Sequence, residues 1–295
     1  MLEGRIVKAV AGFYYVAVEE SGIYMCRAKG VFRKLGIRPL VGDFASIEVT
    51  HEGDMEGNVV EIHPRSNELL RPAAANVDAC LAVFAVKDPD PSLILVDRFL
   101  LQAARRGIPA AVCFNKTDLA DEGERRRLQE AYGKCGAAVI FTSFERGEGI
   151  DEARAYVKGR TVLLAGPSGV GKSTLTNILT GESSMETGSV SKKLGRGRHT
   201  TRHTEIFPLG GGTYILDTPG FAELFTDDVS KEELQLYYPE FGNLAEECRF
   251  AGCAHLKEPD CAVRREVLAG NISRERYESY CRIYEDLAER EKNRY

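Results

Sequence analysis

Residues 166–173 read GPSGVGKS, a glycine-rich stretch that decides how the rest of the chain is interpreted. An apolar run, TVLLAG, leads into it, and KSTLTNILTG, which has the pattern of a helix, continues from it. In a turn between a strand and a helix, backbone N–H groups can face phosphate oxygens, and the helix N-terminus adds positive potential. The stretch therefore predicts a phosphate loop for a nucleoside triphosphate, but it leaves the base open.

The side chains of this loop have expected roles. Lys172 would reach the β- and γ-phosphates, and Ser173 would ligate Mg²⁺. The residues expected to contact the nucleotide are Gly166, Pro167, Ser168, Gly169, Val170, Gly171, Lys172, Ser173 and Thr174. A chance glycine-rich turn is the alternative, and the flanking strand and helix patterns argue against it.

The base is indicated by NKTD at 115–118, which ends another apolar run. Asp118 can accept hydrogen bonds from N1–H and the exocyclic amine of guanine, whereas adenine would leave this carboxylate unpaired at a cost of about 1–3 kcal/mol. Asn115 would tie this loop to the phosphate loop, and the Lys116 stem would lie along the base. Thr142-Ser143 follows the next apolar run and matches the loop whose backbone N–H meets guanine O6. These residues predict a preference for guanine.

A third motif, DTPG at 217–220, would complete the site. Asp217 would hold Mg²⁺ through water, and the Gly220 N–H would sense the γ-phosphate. The segment GRGRHTTRHTE separates this motif from the phosphate loop, and either Thr200 or Thr201 within it would complete the Mg²⁺ shell.

The order of these motifs is reversed relative to ordinary guanine-nucleotide switches, in which the phosphate loop precedes NKxD. A circular permutation explains the order, because strand neighbours in the sheet, and not chain order, make the core. The chain then leaves the domain directly after DTPG. Whatever follows is coupled to a segment that rearranges when the γ-phosphate is lost.

The remaining patterns define the other domains. Residues 1–63 contain five short runs rich in β-branched and aromatic residues, which favour a Greek-key barrel such as an OB-fold; an SH3-like barrel or a structural cap is the alternative. Continuous apolar strands alternate with helical stretches farther on, as in a parallel sheet covered on both faces. We predict a multidomain α/β protein: an OB-type β-barrel at 1–65, a circularly permuted P-loop GTPase domain at 66–225 and a helical zinc-binding domain at 226–295.

A cluster of soft ligands supports the last assignment. Cys248, Cys253, His255 and Cys261 offer three thiolates and one imidazole within fourteen residues, a set suited to one structural, tetrahedral Zn²⁺. A small helical segment with few apolar residues also needs such a staple. Scattered reduced cysteines around a surface histidine are the alternative.

Composition limits the partners. Net charge is −5, so nucleic-acid contact must come from local basic clusters. The candidates are Lys29, Arg33, Lys34 and Arg38 near Phe32, then Lys192, Lys193, Arg196, Arg198 and Arg202, then Arg264 and Arg265. Solvated charged faces are the alternative. No apolar run is long enough to span a bilayer and the start lacks an apolar signal core, so we expect a cytoplasmic protein without membrane contact. We also expect a monomer.

Barrel, permuted GTPase motifs and zinc-ligand spacing together resemble the family of ribosome small-subunit-dependent GTPase A, also called RsgA, YjeQ or YloQ, over essentially the whole chain. The resemblance implies a bacterial enzyme that binds the small ribosomal subunit and its rRNA. It implies hydrolysis of GTP to GDP and phosphate, stimulated by the subunit, as a late maturation checkpoint. A GTP-dependent RNA-binding module or a protein-partner switch with incidental turnover is the alternative.

The motifs do not supply a residue that would orient the attacking water. Phe221 stands where Ras-like enzymes place a water-orienting glutamine, so intrinsic turnover should be slow. The resemblance points to His199 as the catalytic group, beside Lys172, Thr200 and Thr201. Contact between His199 and an RNA phosphate is the alternative.

Overall fold

The computed structural model of the protein describes residues 1–51, 53–70, 72–186, 205–217 and 229–293. The described strands, in chain order, are β1 (Leu2–Val10), β2 (Phe13–Val18), β3 (Gly22–Ala28), β4 (Phe44–His51), β5 (Glu56–Ile62), β6 (Glu68–Leu70), β7 (Ala73–Ala75), β8 (Ala79–Ala85), β9 (Ala110–Asn115), β10 (Ala138–Phe141), β11 (Thr161–Ala165), β12 (Glu205–Gly210) and β13 (Thr213–Asp217). The described α-helices are α1 (Val31–Lys34), α2 (Leu93–Arg105), α3 (Glu122–Tyr132), α4 (Ile150–Val157), α5 (Lys172–Glu186), α6 (Ala262–Leu268) and α7 (Arg274–Asn293). Short 3-10 helices span Thr117–Leu119, Leu234–Tyr237 and Pro239–Glu247.

The chain folds into two compact units that each draw on separate stretches of sequence. The first unit takes its described residues from Met1–Cys80, Arg154–Ala165 and Lys172–Glu223. The second takes its described residues from Leu81–Ala153, Gly166–Gly171 and Leu224–Tyr295.

A five-stranded barrel begins the first unit. Its neighbours run in the order β1-β2-β3-β5-β4, and β1 also pairs with β4, which closes the barrel. The β3–β5 pair is parallel and the other pairs are antiparallel. The barrel interior is filled by apolar side chains, among which Ile6, Val16, Ile47 and Val59 are fully buried.

The barrel continues into a second set of strands through β1. Lys8 of β1 pairs with Glu205 of β12, β12 runs antiparallel to β13, and β13 runs parallel to β11. Arg5 reinforces this junction, since its guanidinium lies 4.8 Å from the ring centroid of Phe44 and 4.3 Å from that of Tyr214. Arg5 is 3% exposed and donates to the carbonyls of Gly42 and Asn76 at 3.2 and 3.1 Å.

The second unit is built on the strand order β10-β9-β8. Strands β9 and β10 are parallel, so the loops that follow them lie at one edge of the sheet. Every residue of β8 is buried, which matches its unbroken apolar sequence. Helix α3 starts with a capping box, because Asp121 accepts from the Glu124 N–H at 2.8 Å while the Glu124 carboxylate accepts from the Asp121 N–H at 3.0 Å.

The C-terminal helical part of the second unit packs on helices α2 and α3. Its core is largely aromatic and contains Tyr238, Phe241 and Tyr280. Polar contacts join α7 and its approach to the other helices: Arg98 of α2 binds Asp286, Arg127 of α3 binds Glu275, and Lys134 donates to the Asn271 carbonyl at 2.9 Å.

A buried ion network lies at the centre of this packing. Arg276 of α7 donates to Asp97 of α2 and, at 2.6 and 3.1 Å, to both carboxylate oxygens of Glu240. The side chains of all three are at most 4% exposed. Burial raises the pKa of Asp97, and the Arg276 cation opposes that effect. Within the described parts of the chain, no helix is both long enough and apolar enough to cross a membrane.

Candidate nucleotide-binding and metal sites

Asn115 is the centre of the predicted base-reading site. It ends β9, is 3% exposed, and donates from Nδ2 to the Val170 carbonyl of the phosphate loop at 2.9 Å. Its Oδ1 accepts from Thr142 Oγ1 and from the Phe144 N–H, both at 3.2 Å. One buried amide therefore fixes the loop after β9, the loop after β10 and the phosphate loop relative to one another.

Asp118 lies in the 3-10 helix Thr117–Leu119, with its side chain partly open to solvent. Ser143 Oγ donates to Asp118 Oδ1 at 2.6 Å, and this hydrogen bond lowers the pKa of the Asp118 carboxyl. The carboxylate is therefore ionised near neutral pH, as an acceptor for two guanine N–H groups must be. Lys116 adopts the left-handed conformation, with φ of 65°, and donates from Nζ to the Asp88 carbonyl.

Sequence reasoning missed the part played by the Ser143 hydroxyl. Besides holding Asp118, Ser143 Oγ accepts from the Arg146 N–H at 3.2 Å. The Ser143 N–H donates to the Glu148 carbonyl at 3.0 Å, so its expected contact with guanine O6 stays a prediction. The signal in the sequence was a hydroxyl residue at the end of the strand neighbouring NKTD.

Close backbone approaches explain two glycines of the phosphate loop. A Cβ on Gly166 would lie 2.1 Å from the Val83 carbonyl oxygen, and Gly166 has a φ of 140°. A Cβ on Gly171 would lie 2.6 Å from Asn115 Nδ2, and Gly171 has a φ of 104°. Any other residue at either position would displace the loop.

Solvent exposure varies along the rest of the loop. Ser168 and Gly169 are exposed, and Val170 is buried. Helix α5 begins directly after Gly171, with Lys172 as its first residue and exposed Ser173 and Thr174 after it. The first turn of a helix carries N–H groups that have no partner within the helix itself, together with the positive end of the helix dipole.

Several predicted residues cannot be placed. His199, Thr200, Thr201 and Gly220 lie outside the described residues, as do Phe221 and the basic residues Lys192, Lys193, Arg196, Arg198 and Arg202. For Asp217 only the backbone is described: it ends β13 and pairs with Leu164 of β11.

The two described basic clusters are partly neutralised. Lys29 forms an ion pair with Glu48 at 2.6 Å, and Arg265 forms one with Glu247 at 2.9 Å. Lys34 and Arg38 are exposed, whereas Phe32 is in the barrel core and not on the surface. Contact with RNA at these clusters stays a prediction.

The four predicted metal ligands come together. Their ligand atoms all lie within 4.8 Å of one another, and three of the four residues are buried. His255 Nδ1 is 3.4 Å from Cys261 Sγ and 3.6 Å from Cys248 Sγ, and the two sulfurs are 3.9 Å apart. A tetrahedral ion with zinc-type bond lengths requires about 3.6 Å between nitrogen and sulfur and about 3.8 Å between sulfurs. The cluster therefore could bind zinc.

Helix α7 and one carboxylate hold the ligand loop in shape. Tyr277 and Tyr280 donate their hydroxyls to the carbonyls of His255 and Ala254 at 2.7 and 2.9 Å. Glu258 accepts from the backbone N–H groups of residues 254, 256 and 257 at 2.8–3.0 Å. The loop is thus preorganised for its ligands by hydrogen bonds with two tyrosine hydroxyls and one carboxylate.

An NKxD loop joined to a phosphate loop that comes later in the chain defines a circularly permuted P-loop GTPase. Family models agree: RsgA GTPase matches residues 62–226, and RsgA N-terminal domain matches residues 3–58. The chain belongs to the RsgA GTPase family, and it is accordingly a GTP-hydrolysing enzyme.

Relatives are similar from end to end. A protein of Agathobacter rectalis, named small ribosomal subunit biogenesis GTPase RsgA, is 47% identical over 99% of this chain and 100% of its own. A protein of the same name from Caldanaerobacter subterraneus is 47% identical over 100% of this chain and 98% of its own.

Two solved structures share the fold. YjeQ from Thermotoga maritima is 33% identical with a TM-score of 0.79, covering 97% of this chain and 98% of its own. YloQ, described as a circularly permuted GTPase, is 35% identical with a TM-score of 0.76, covering 98% and 96%. The predicted permutation and N-terminal barrel are thereby confirmed.

Proposed function

We propose that this GTPase binds the small ribosomal subunit and hydrolyses GTP to GDP and phosphate as a late maturation checkpoint in the cytoplasm. The observation that carries the proposal is the end-to-end similarity to relatives named for small-subunit biogenesis. The GTP form would grip the subunit, and hydrolysis would release it.

The nucleotide would be read by the preorganised loops. Asp118, ionised and held by Ser143, would accept the two guanine N–H groups, and Asn115 would keep the base loop against the phosphate loop. Lys172 at the start of α5 would contact the β- and γ-phosphates. Ser173, Asp217 and either Thr200 or Thr201 would complete the Mg²⁺ site that accompanies the nucleotide.

The C-terminal part would hold one structural Zn²⁺. Four protein ligands fill a tetrahedral shell and leave no position for a reacting water, so the ion would stabilise the fold and take no part in hydrolysis. We assign the barrel to 1–65, the GTPase domain to 66–225 and the zinc domain to 226–295. The barrel and the zinc domain would contact rRNA.

Coupling between nucleotide and ribosome would follow from the permutation. The chain passes from the DTPG motif at 217–220 into the C-terminal part, which packs on α2 and α3 through Arg276, Arg98 and Arg127. A rearrangement of this segment on loss of the γ-phosphate would thus be transmitted to the attachment of the zinc domain. His199 would act in hydrolysis, because Phe221 cannot orient a water.

The proposal is tested by steady-state GTP hydrolysis with the protein alone and with small subunits, large subunits or joined ribosomes. We expect slow turnover alone and a rise of at least about 100-fold with small subunits only, since a supplied catalytic group is worth 10³–10⁵ in comparable GTPases. Tight GTP binding without stimulation by any particle would overturn the ribosomal part of the proposal.

A further inference from the structure

Gln235 contacts the ring nitrogen of His255 that lies on the side away from the cysteine ligands. Its Oε1 lies 2.7 Å from His255 Nε2, and the His255 side chain is fully buried. The other end of the Gln235 amide donates to the Glu232 carbonyl at 3.4 Å. Both ends of the amide are therefore engaged, which fixes the oxygen toward the imidazole.

This contact selects one tautomer of His255. An amide oxygen only accepts hydrogen bonds, so Nε2 must carry the proton. The lone pair is then on Nδ1, which is the atom that faces Cys261 and Cys248 at 3.4 and 3.6 Å. Metal-bound histidines normally donate their second N–H to an outer partner that fixes ring orientation.

The backbone holds Gln235 in place from both sides. Leu234 and Tyr238 are buried in the aromatic core, with exposures of 0% and 2%. The turn that precedes them is closed by Ser230, whose hydroxyl donates to Glu233 at 2.8 Å, and Lys231 is paired with Glu291 of α7. This turn begins ten residues after the DTPG motif ends at 220.

We propose that Gln235 is a positioning residue of the metal site. It fixes His255 as an Nδ1 ligand and joins the ligand cluster to the segment through which the chain leaves the GTPase domain. This role rests on the zinc site of the proposed function, and Gln235 is not one of the four ligands of that site. The sequence alone gives no signal for it, because Gln235 is outside the cysteine-rich loop.

Three variants of the full chain test the proposal. Gln235→Leu removes the acceptor at similar size, and Gln235→Glu retains an acceptor. Leu236→Ala is the matched control, because Leu236 is in the same 3-10 helix and is 74% exposed. Each protein is loaded with zinc, and its zinc affinity is measured by competition with a chromophoric chelator.

We expect Gln235→Leu to weaken zinc binding about 10- to 100-fold, with Gln235→Glu close to the parent chain and Leu236→Ala unchanged. A second readout is the ¹⁵N shift of the His255 ring in zinc-loaded protein, which should report a protonated Nε2 in the parent and in Gln235→Glu. Loss of packing alone would weaken zinc binding in Gln235→Leu but would leave Nε2 of His255 protonated in that variant.

The outcomes separate this inference from the proposed function. Equal zinc affinity in the parent chain and in the Gln235→Leu variant would overturn the role of Gln235 but would leave the metal site in place. Equal losses in Gln235→Leu and Gln235→Glu would also overturn it. A parent chain that takes up no zinc would overturn the proposed metal site itself.

Discussion

Replacing Arg276 by methionine should destabilise the protein more than any nearby surface change. Within the described residues, Arg276 is the cation that pairs with the buried carboxylates of Asp97 and Glu240, and all three side chains are at most 4% exposed. Its guanidinium also lies 4.5 Å from the ring centroid of Tyr238. Methionine would fill similar space but would leave two carboxylates buried without a counter-ion.

The expected loss of unfolding free energy is about 3–5 kcal/mol near neutral pH, the usual cost of breaking a buried ion pair from one side. Part of this loss should disappear as the pH falls. Burial raises the pKa of Asp97. Without Arg276, the folded state would bind a proton more readily than the unfolded chain, so the variant should lose stability as the pH rises through the folded pKa of Asp97.

Urea unfolding followed by far-UV circular dichroism measures this effect, because the chain has no tryptophan to report by fluorescence. Arg274→Met is the control: its partner Glu278 is 2.9 Å away, but the Arg274 side chain is 83% exposed, so the change should cost below about 0.5 kcal/mol. A loss below about 1 kcal/mol for Arg276→Met, or one that does not shrink toward about pH 5, would refute the reasoning.

Four further predictions concern the nucleotide site. Asp118→Asn should reduce the preference for guanine over other bases by about 1–3 kcal/mol, measured by nucleotide competition; unchanged selectivity would contradict the base assignment. Ser143→Ala should raise the pKa of Asp118, because the hydrogen bond that lowers this pKa is lost. When GDP affinity is measured from about pH 7 down to 4, the affinity of the variant should therefore begin to fall at a higher pH than that of the parent. Lys172→Ala should weaken GTP binding roughly 10- to 150-fold in equilibrium titration, and wild-type affinity would count against the phosphate assignment. His199→Ala should lower subunit-stimulated turnover by about 100-fold or more without changing GTP affinity. An unchanged rate would exclude a catalytic role and favour contact between His199 and RNA.

Features whose chemistry requires particular residue types at a fixed spacing could be predicted from the sequence. The permutation could be predicted because the NKTD and phosphate-loop motifs each need their residue types at a fixed spacing after a strand, and the structure ends β9 and β11 at these motifs. The metal cluster was readable for the same reason, since Cys248, Cys253, His255 and Cys261 are close in sequence as well as in space. The closed barrel followed from five β-rich runs separated by turn residues.

Contacts between distant parts of the chain could not be predicted in this way. Arg276 contacts residues that are 179 and 36 positions away in the sequence. A charged residue in a helix is predicted to lie on the surface unless such partners are known. The same holds for Arg5, which is buried at the junction between barrel and sheet. Ser143 and Gln235 were missed because their roles act through another side chain and leave no motif of their own.

The central claim is that the GTP state holds the small ribosomal subunit and that hydrolysis releases it. Sedimentation of the protein with purified small subunits, in the presence of a non-hydrolysable GTP analogue or of GDP, tests this claim most directly. The account predicts that the protein sediments with the subunit in the presence of the analogue and remains in the supernatant with GDP. Equal sedimentation with both nucleotides, or with neither, would contradict it.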